Sequence, residues 1–301
     1  MRRLKNVKLI PIAGLVALIW LSPAAARASE LRLQARGLIQ RNSGADQWHQ
    51  VTNAVSWEST ATAAVICDMW DKHWCKGASQ RVAEMAPRMN EVVTELRRQG
   101  VLIIHCPSDT MKFYEGTPGR KLAQAAPSAV AKVPLQGWCR PDPARESALP
   151  IDDSDGGCDD TPQCEQGSPW RREIAAIEVK PGDAITESAE AYNLMRERGI
   201  TNVIVMGVHQ NMCVLGRPFS IRQLVYEGQN VVLVRDLTDS MYNSRRKPWV
   251  DHFTGNALMT WHIEKYWCPT VTSDQIIGGQ PFRFAADTKP PRVFGGAMAS
   301  N

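Results

Sequence analysis

Cys213 lies in the stretch NVIVMGVHQNMCVLGRPFSIRQLVYEG, residues 202–228. The run Val203 to Met206, closed by Gly207, reads as a buried parallel strand, and the spacing of Val214, Ile221, Leu224 and Val225 predicts one face of a helix over 213–226. The thiol therefore stands at a strand-to-helix turn. Unpaired N–H groups at a helix start favour thiolate over thiol and lower the pKa below the free value of about 8.5, which suits a nucleophile. Position alone equally suits a small buried side chain, a common fate of a free cysteine.

Two further residue types complete a chemistry. Asp68 follows an apolar run in AVICDMWDKHWC, and Lys180 follows another in IEVKPGD, while His105, Cys106, Pro107 and Ser108 follow a third. In a doubly wound sheet, ligands sit beyond the carboxyl ends of the strands, so an acid, a lysine and a cysteine at three such ends form a coherent set. Asp68 can take the thiol proton, and Lys180 supplies a positive charge that favours thiolate and ionised carboxylate. Alone, Asp68 reads as a capping or turn residue and Lys180 as a solvated loop residue; their joint placement with Cys213 carries the argument.

The elements that must position these groups alternate. Two extended pieces, 31–40 and 49–57, flank the turn-rich 42–46 and form an N-terminal arm or hairpin. Then follow strand 63–67, helix 79–99 closed by Gly100, strand 101–105, strand 174–179, helix 187–198 closed by Gly199, strand 203–206, helix 213–226 closed by Gly228, strand 231–234, a helix near 250–266 and a last strand at 270–271. This alternation implies an α/β domain with a mainly parallel sheet covered on both faces. The segment 135–172 has no periodicity and carries Pro, Gly, Asp and three cysteines, so it reads as a long insert. The expected organisation is a leader over 1–28, an extended arm over 29–61 and one domain over 62–301.

With these residues in place, the chain resembles the isochorismatase-like cysteine hydrolases, a family that includes nicotinamidases and N-carbamoylsarcosine amidases. The resemblance spans about Thr62 to Val271. Its most specific part is Gly207-Val208-His209-Gln210-Asn211-Met212-Cys213-Val214, preceded by Arg198-Gly199-Ile200 and followed by Gly228-Gln229-Asn230-Val231-Val232, with Asp68 and Lys180 at the matching strand ends. The resemblance implies a three-layer α/β/α doubly wound fold and a triad of Asp68, Lys180 and Cys213. It implies hydrolysis of an amide, urea or carbamoyl C–N bond of a small molecule through a thioester. It also implies a cis peptide at Val208-His209 and an oxyanion site near Met212 and Cys213.

The chain departs from the family in two places. The zinc-binding histidine pair of many nicotinamidases is missing from HCPSDTMKFYEGTPGR, so no metal is expected there, and convergence of His73, His105 and Asp109 on a divalent ion is the minor reading. His209 and Asn211 replace smaller or different residues of the turn. Together with His73, Trp74 and His105 they are the candidate substrate-pocket residues, His209 also being weighed as a second proton carrier and, in preference, as a packing residue.

The N-terminus pairs Arg2, Arg3, Lys5 and Lys8 with an apolar run from Leu9 to Leu21 and an A-x-A site at 26–28, the pattern of a signal peptide cut after Ala28. The run is short for a membrane anchor. An exported, periplasmic or secreted protein is expected. Its formal charge of +4 includes the leader, so the remainder is close to neutral, without the basic stripe that nucleic-acid binders use. The expected partner is a small-molecule substrate; members of the resembled family commonly assemble, which leaves a homo-oligomer open without fixing the oligomeric state. Export permits disulfides among the six cysteines other than Cys67 and Cys213, of which Cys158 with Cys164 is the most local pair. The acidic stretch Asp152, Asp153, Asp155, Asp159 and Asp160 is weighed as a calcium loop against a solvated loop, the latter preferred because it lacks the closing glutamate of an EF-hand. Arg217, Arg222 and Arg235 are weighed as anion binders against ion-paired arginines. No G-x-G-x-x-G follows the first strand, which argues against a dinucleotide enzyme. The alternative to a hydrolase is a non-catalytic exported binding or assembly protein on the same fold.

Overall fold

A computed structural model of the chain describes residues 29–40 and 47–295. The leader and the turn at 42–46 lie outside the described residues. The order of elements is β1 (Glu30–Gln40), β2 (Trp48–Glu58), β3 (Thr62–Cys67), α1 (Lys76–Arg98), β4 (Leu102–Cys106), α2 (Met111–Tyr114), α3 (Pro118–Ala125), β5 (Ala184–Ile185), α4 (Glu190–Glu197), β6 (Asn202–Val208), α5 (Cys213–Gly216), α6 (Ile221–Tyr226), β7 (Asn230–Asp239), α7 (His252–Tyr266), β8 (Thr270–Val271) and α8 (Asp274–Ile277). They form an α/β fold with one eight-stranded sheet in the order β2-β1-β8-β7-β6-β3-β4-β5. From β8 to β5 neighbouring strands are parallel, and β1 joins β2 and β8 antiparallel.

The central strands are buried on both faces, and their alternation sorts side chains into two cores. Ala63, Val65 and Cys67 of β3, with Val203 and Val205 of β6, meet Leu194, Met195, Val214, Phe219 and Leu224 from α4 to α6. Ala64 and Ile66, with Ile204 and Met206, meet Val82, Met85, Met89, Val93 and Leu96 of α1. Helices on both faces make the three layers. The strand order reverses beside β3, which pairs with β4 on one side and β6 on the other. The carboxyl ends of β3 and β6, carrying Asp68 and the turn to Cys213, therefore adjoin at the switch point where such sheets place their ligands.

Gly207 permits this approach. Its φ is +110°, and a Cβ there would lie 2.0 Å from the Cys67 carbonyl oxygen. Backbone cannot yield as a flexible side chain would, so Gly207→Ala is expected to cost at least about 3 kcal/mol and lower the denaturant midpoint clearly. A midpoint unchanged from the parent would show that the strand ends have more room than the structure gives them.

The third strand lies elsewhere than the apolar pattern suggests. Residues 174–179 form a turn, pinned by the Ile174 N–H to Met69 O at 2.7 Å, and the strand is the two-residue β5 beyond Pro181 and Gly182. Irregular chain runs from 126 to 183, longer than the expected insert. The helix expected over 213–226 is two short helices, α5 and α6, separated around Pro218. The arm is more than an appendage, because β1 extends the main sheet through Arg36 opposite Thr270.

Candidate active site

Asp68 ends β3 in a left-handed conformation, φ +47°, and is fully buried. Its Oδ1 accepts the Ser108 N–H at 2.7 Å, and the Trp70 indole N–H donates to Ser108 O at 2.9 Å behind it. The Cys213 thiol lies beside the same carboxylate, and each group shifts the other's ionisation. The third member is a cation other than the expected one. Arg217 Nε lies 3.4 Å from Asp68 Oδ2, and its Nη2 lies 3.5 Å from Asp109 Oδ2. Burial pushes the Asp68 carboxyl up from the ordinary carboxylate range, and the Arg217 guanidinium and the Cys213 thiol oppose that rise.

Burial also pushes the Cys213 thiol well above its ordinary value; the negative charge of Asp68 adds to this and Arg217 opposes it. The helix-start effect expected for Cys213 does not decide the outcome, because α5 is four residues long and contributes little dipole beside full desolvation. The resting thiol is thus protonated beside a base. That arrangement moves a proton during attack rather than storing a thiolate.

Lys180 is not brought to this pair. Its side chain is half exposed and binds Glu178 Oε2 at 2.8 Å. The physical reason is the turn at 174–179: Lys180 precedes β5 instead of ending a strand, and its own N–H donates to Asp183 Oδ2 at 2.7 Å. Arg217 follows Cys213 by four residues but is already extended, φ −70° and ψ 154°, just past the four-residue α5, so its approach to Asp68 depends on the chain turning there and no helical spacing announces it.

The peptide between Val208 and His209 is cis, as the family resemblance implies. The Met212 N–H donates to His209 O at 3.0 Å, so of the two expected oxyanion donors it is occupied; the Cys213 N–H has no backbone acceptor among the described residues. His209 is buried with Nε2 unpaired, 5.1 Å from the His73 ring. Burial first, and His73 second, hold its pKa well below the ordinary histidine value, which makes it a neutral neighbour. His73 is likewise held down at about 4 by burial, and its Nδ1 accepts the Cys75 N–H at 3.1 Å.

His73 belongs to an aromatic wall with Trp70, Trp74 and Trp170, the Trp70 and Trp170 rings stacking at 4.3 Å. Trp74 and His73 line a cavity of about 710 Å³ against residues 160–169. Asn211 does not face a pocket. It donates to Asp153 Oδ2 at 2.8 Å and to Met241 O at 3.0 Å, fastening the insert to the chain after β7. A roof stands over the end of α5, and Cys213 is 9% exposed. The Cys139 N–H donates to Gly216 O at 2.6 Å, and the Trp138 ring covers Gly216 and lies 5.6 Å from the Arg217 guanidinium. Glu146 holds the roof down through Arg222 Nε at 2.8 Å, His262 Nε2 at 2.7 Å and Trp267 Nε1 at 2.9 Å.

His105 is fully buried away from the cavity, with Nδ1 2.7 Å from Glu173 Oε2 and Nε2 3.3 Å from Asp183 Oδ2. Burial alone would lower its pKa; the two carboxylates override this and hold it up at about 9. Because the folded value lies above the unfolded one of about 6.5, the stabilisation is fully present below about pH 6.5 and is lost as pH rises through about 9. Urea midpoints measured across that window should fall for the parent and flatten for His105→Gln; parallel profiles would contradict the charged histidine.

His73, His105 and Asp109 do not converge on a metal position, since each faces the separate partners given above. The acidic stretch spends its carboxylates on protein donors: Asp153 on Asn211, Asp155 on Asn243, Gln163 and Arg246, and Asp159 on Arg81 at 2.9 Å. Arg222 is ion-paired with Glu146, as its weighed alternative had it, and Arg235 Nη1 lies 3.3 Å from Thr270 Oγ1.

No protein-family model matches the chain, and no curated protein matches it. Among solved structures, a cysteine hydrolase from Pseudomonas syringae pv. phaseolicola is similar at 17% identity, covering 73% of this chain and 92% of that one, with a TM-score of 0.47. An isochorismatase from Pseudomonas putida is similar at 13% identity, covering 73% and 92%, with a TM-score of 0.44. N-carbamoylsarcosine amidase from Thermoplasma acidophilum is similar at 13% identity, covering 59% and 83%, with a TM-score of 0.33. The solved structures to which this chain is similar thus include proteins named as cysteine hydrolases and isochorismatases, at identities that leave the activity to be argued from the site.

Proposed function

We propose that the chain is a cysteine-type hydrolase of the isochorismatase-like kind, acting on an amide, urea or carbamoyl C–N bond of a small molecule. The observation that carries this reading is the buried contact of the Cys213 thiol with Asp68 beside Arg217. In the proposed reaction, Sγ of Cys213 attacks the carbonyl carbon while Asp68 takes the thiol proton and then delivers it to the leaving nitrogen. The resulting thioester is cleaved by water, Asp68 again taking a proton, which returns to the thiol. Arg217 keeps the carboxylate ionised between these steps, and the Cys213 N–H is placed to meet the developing oxyanion.

This chemistry calls for no resident metal, and we propose a small-molecule substrate, no nucleic-acid partner, a homo-oligomeric assembly and an exported location after cleavage near Ala28. No helix among the described residues is long and apolar enough to cross a membrane. The roof over the end of α5 favours a second reading, a non-catalytic binding protein on the same sheet. A screen of primary amides, ureas and carbamoyl compounds, run with and without chelator, tests the choice. Turnover that Cys213→Ala abolishes supports the hydrolase; turnover that survives the substitution removes Cys213 from the mechanism, and the absence of turnover on every compound supports the binder.

A further inference from the structure

All eight cysteines are free thiols, and three of them meet at one carboxylate oxygen far along the chain from Cys213. Asp160 Oδ2 lies 3.3 Å from Cys75 Sγ, 3.4 Å from Cys158 Sγ and 3.2 Å from Cys164 Sγ. The ligand atoms of Cys75, Cys158 and Asp160 all lie within 4.8 Å of one another. A tetrahedral zinc site with Zn–S bonds of about 2.3 Å and Zn–O bonds of about 2.0–2.2 Å has S-to-O edges of roughly 3.5 Å. The observed separations are close to those edges. Cys75 and Cys158 are fully buried and Cys164 is half-buried, so the group has a closed side and one solvent-facing ligand.

The backbone around the group is arranged for negative charge. The Gly77 N–H donates to Asp160 Oδ2 at 3.1 Å, and the Ala78 N–H to Cys75 Sγ at 3.4 Å. Two successive amides at the start of the 23-residue α1 thus each meet a different candidate ligand. Further support comes from Arg245, which donates through Nη2 to Asp160 O at 2.9 Å and through Nη1 to Thr161 Oγ1 at 2.9 Å, holding the ligand loop without occupying a ligand atom. The cavity lined by Trp74, Asp160 and Cys164 borders the group and gives an ion an entry path. An odd number of sulfurs around one oxygen is also poorly suited to disulfide pairing, which would leave a buried thiol and the carboxylate without a common partner.

We propose that Cys75, Cys158, Cys164 and Asp160 bind one zinc ion, or a similar thiophilic divalent cation, which staples the irregular insert to the start of α1. Cys164 completes the tetrahedron by turning its side chain towards the other three. Binding releases the thiol protons and forms three metal–sulfur bonds and one metal–oxygen bond, with no change of oxidation state. The site is structural, since all four ligands come from protein, and it is independent of Cys213.

The test is elemental analysis of the full-length protein, purified without chelator, with thiol-specific mass analysis in parallel. One zinc per chain is expected in the parent and in Cys213→Ala and Cys268→Ser, falling at least about tenfold in Cys158→Ser. Asp160→Asn, which keeps the side-chain shape, should retain the circular dichroism of the parent and lose zinc affinity by about 10- to 100-fold. Cobalt(II) added to the zinc-stripped parent should give a thiolate-to-cobalt charge-transfer band that Cys158→Ser lacks. The proposal is overturned by protein isolated without metal and with a Cys158–Cys164 or Cys75–Cys158 disulfide, whatever the reduced form then binds. It is equally overturned by zinc content that Cys158→Ser and Asp160→Asn leave unchanged, or by a stripped parent that gives no cobalt band.

Discussion

Cys213→Ala is expected to lower turnover of any amide or carbamoyl substrate by on the order of 10⁴-fold or more while leaving the fold intact. The size of the loss follows from what the thiol does. It is the thiol beside Asp68, and without it the carboxylate faces a methyl group that can form no thioester. The fold should survive because the change removes one sulfur atom from a site otherwise held by backbone hydrogen bonds and by the packing of Val214 and Leu215. Comparison of initial rates and thermal midpoints for the two proteins checks both halves. A parental rate in the variant would remove Cys213 from the mechanism.

The second large effect separates two candidate cations. Arg217→Met is expected to lower kcat by about 10²- to 10³-fold, and Lys180→Ala to change it by less than about twofold. Asp68 is fully buried, and burial already raises its pKa; Arg217 is the charge that opposes this. Removing the guanidinium raises the Asp68 pKa further, so the activity limb that needs the ionised base moves to higher pH. A merely structural arginine would lower the amount of folded protein without moving that limb. Arg217→Lys should recover part of the rate, because it restores the charge without the planar fork that reaches both Asp68 and Asp109. Lys180 lies half exposed on Glu178, where a surface pair contributes little. If Lys180→Ala cost as much as Arg217→Met, the placement of the cation would be wrong.

The contrast between these two residues shows how far the sequence was legible. Apolar strands with strong periodicity, β3, β4, β6 and β7, were readable because burial on both faces leaves a continuous hydrophobic run. Asp68 and Cys213 followed from them, since each is fixed by the strand before it. Lys180 misled because Ile174, Ile177 and Val179 imitate a strand while forming a turn, and β5 is too short to show any period. Arg217 was legible only as an anion binder or an ion-paired arginine, because the end of α5 at Gly216 that turns it towards Asp68 leaves no period in the sequence. Trp170, Glu173 and the Asp160 cluster lie in irregular chain. Their contacts join residues 60 to 100 positions apart, and no local pattern encodes such pairings.

Whether Cys213 forms the covalent intermediate is tested most directly by rapid quench of the protein during turnover of a substrate from the amide screen, followed by peptide mass analysis. The proposed reaction predicts an acyl or carbamoyl increment on the peptide carrying Cys213, labile to hydroxylamine and absent from Asp68→Asn, which lacks the base that takes the thiol proton. Steady turnover with Cys213 unmodified at every quench time, in a protein whose Cys213→Ala form retains activity, would contradict it.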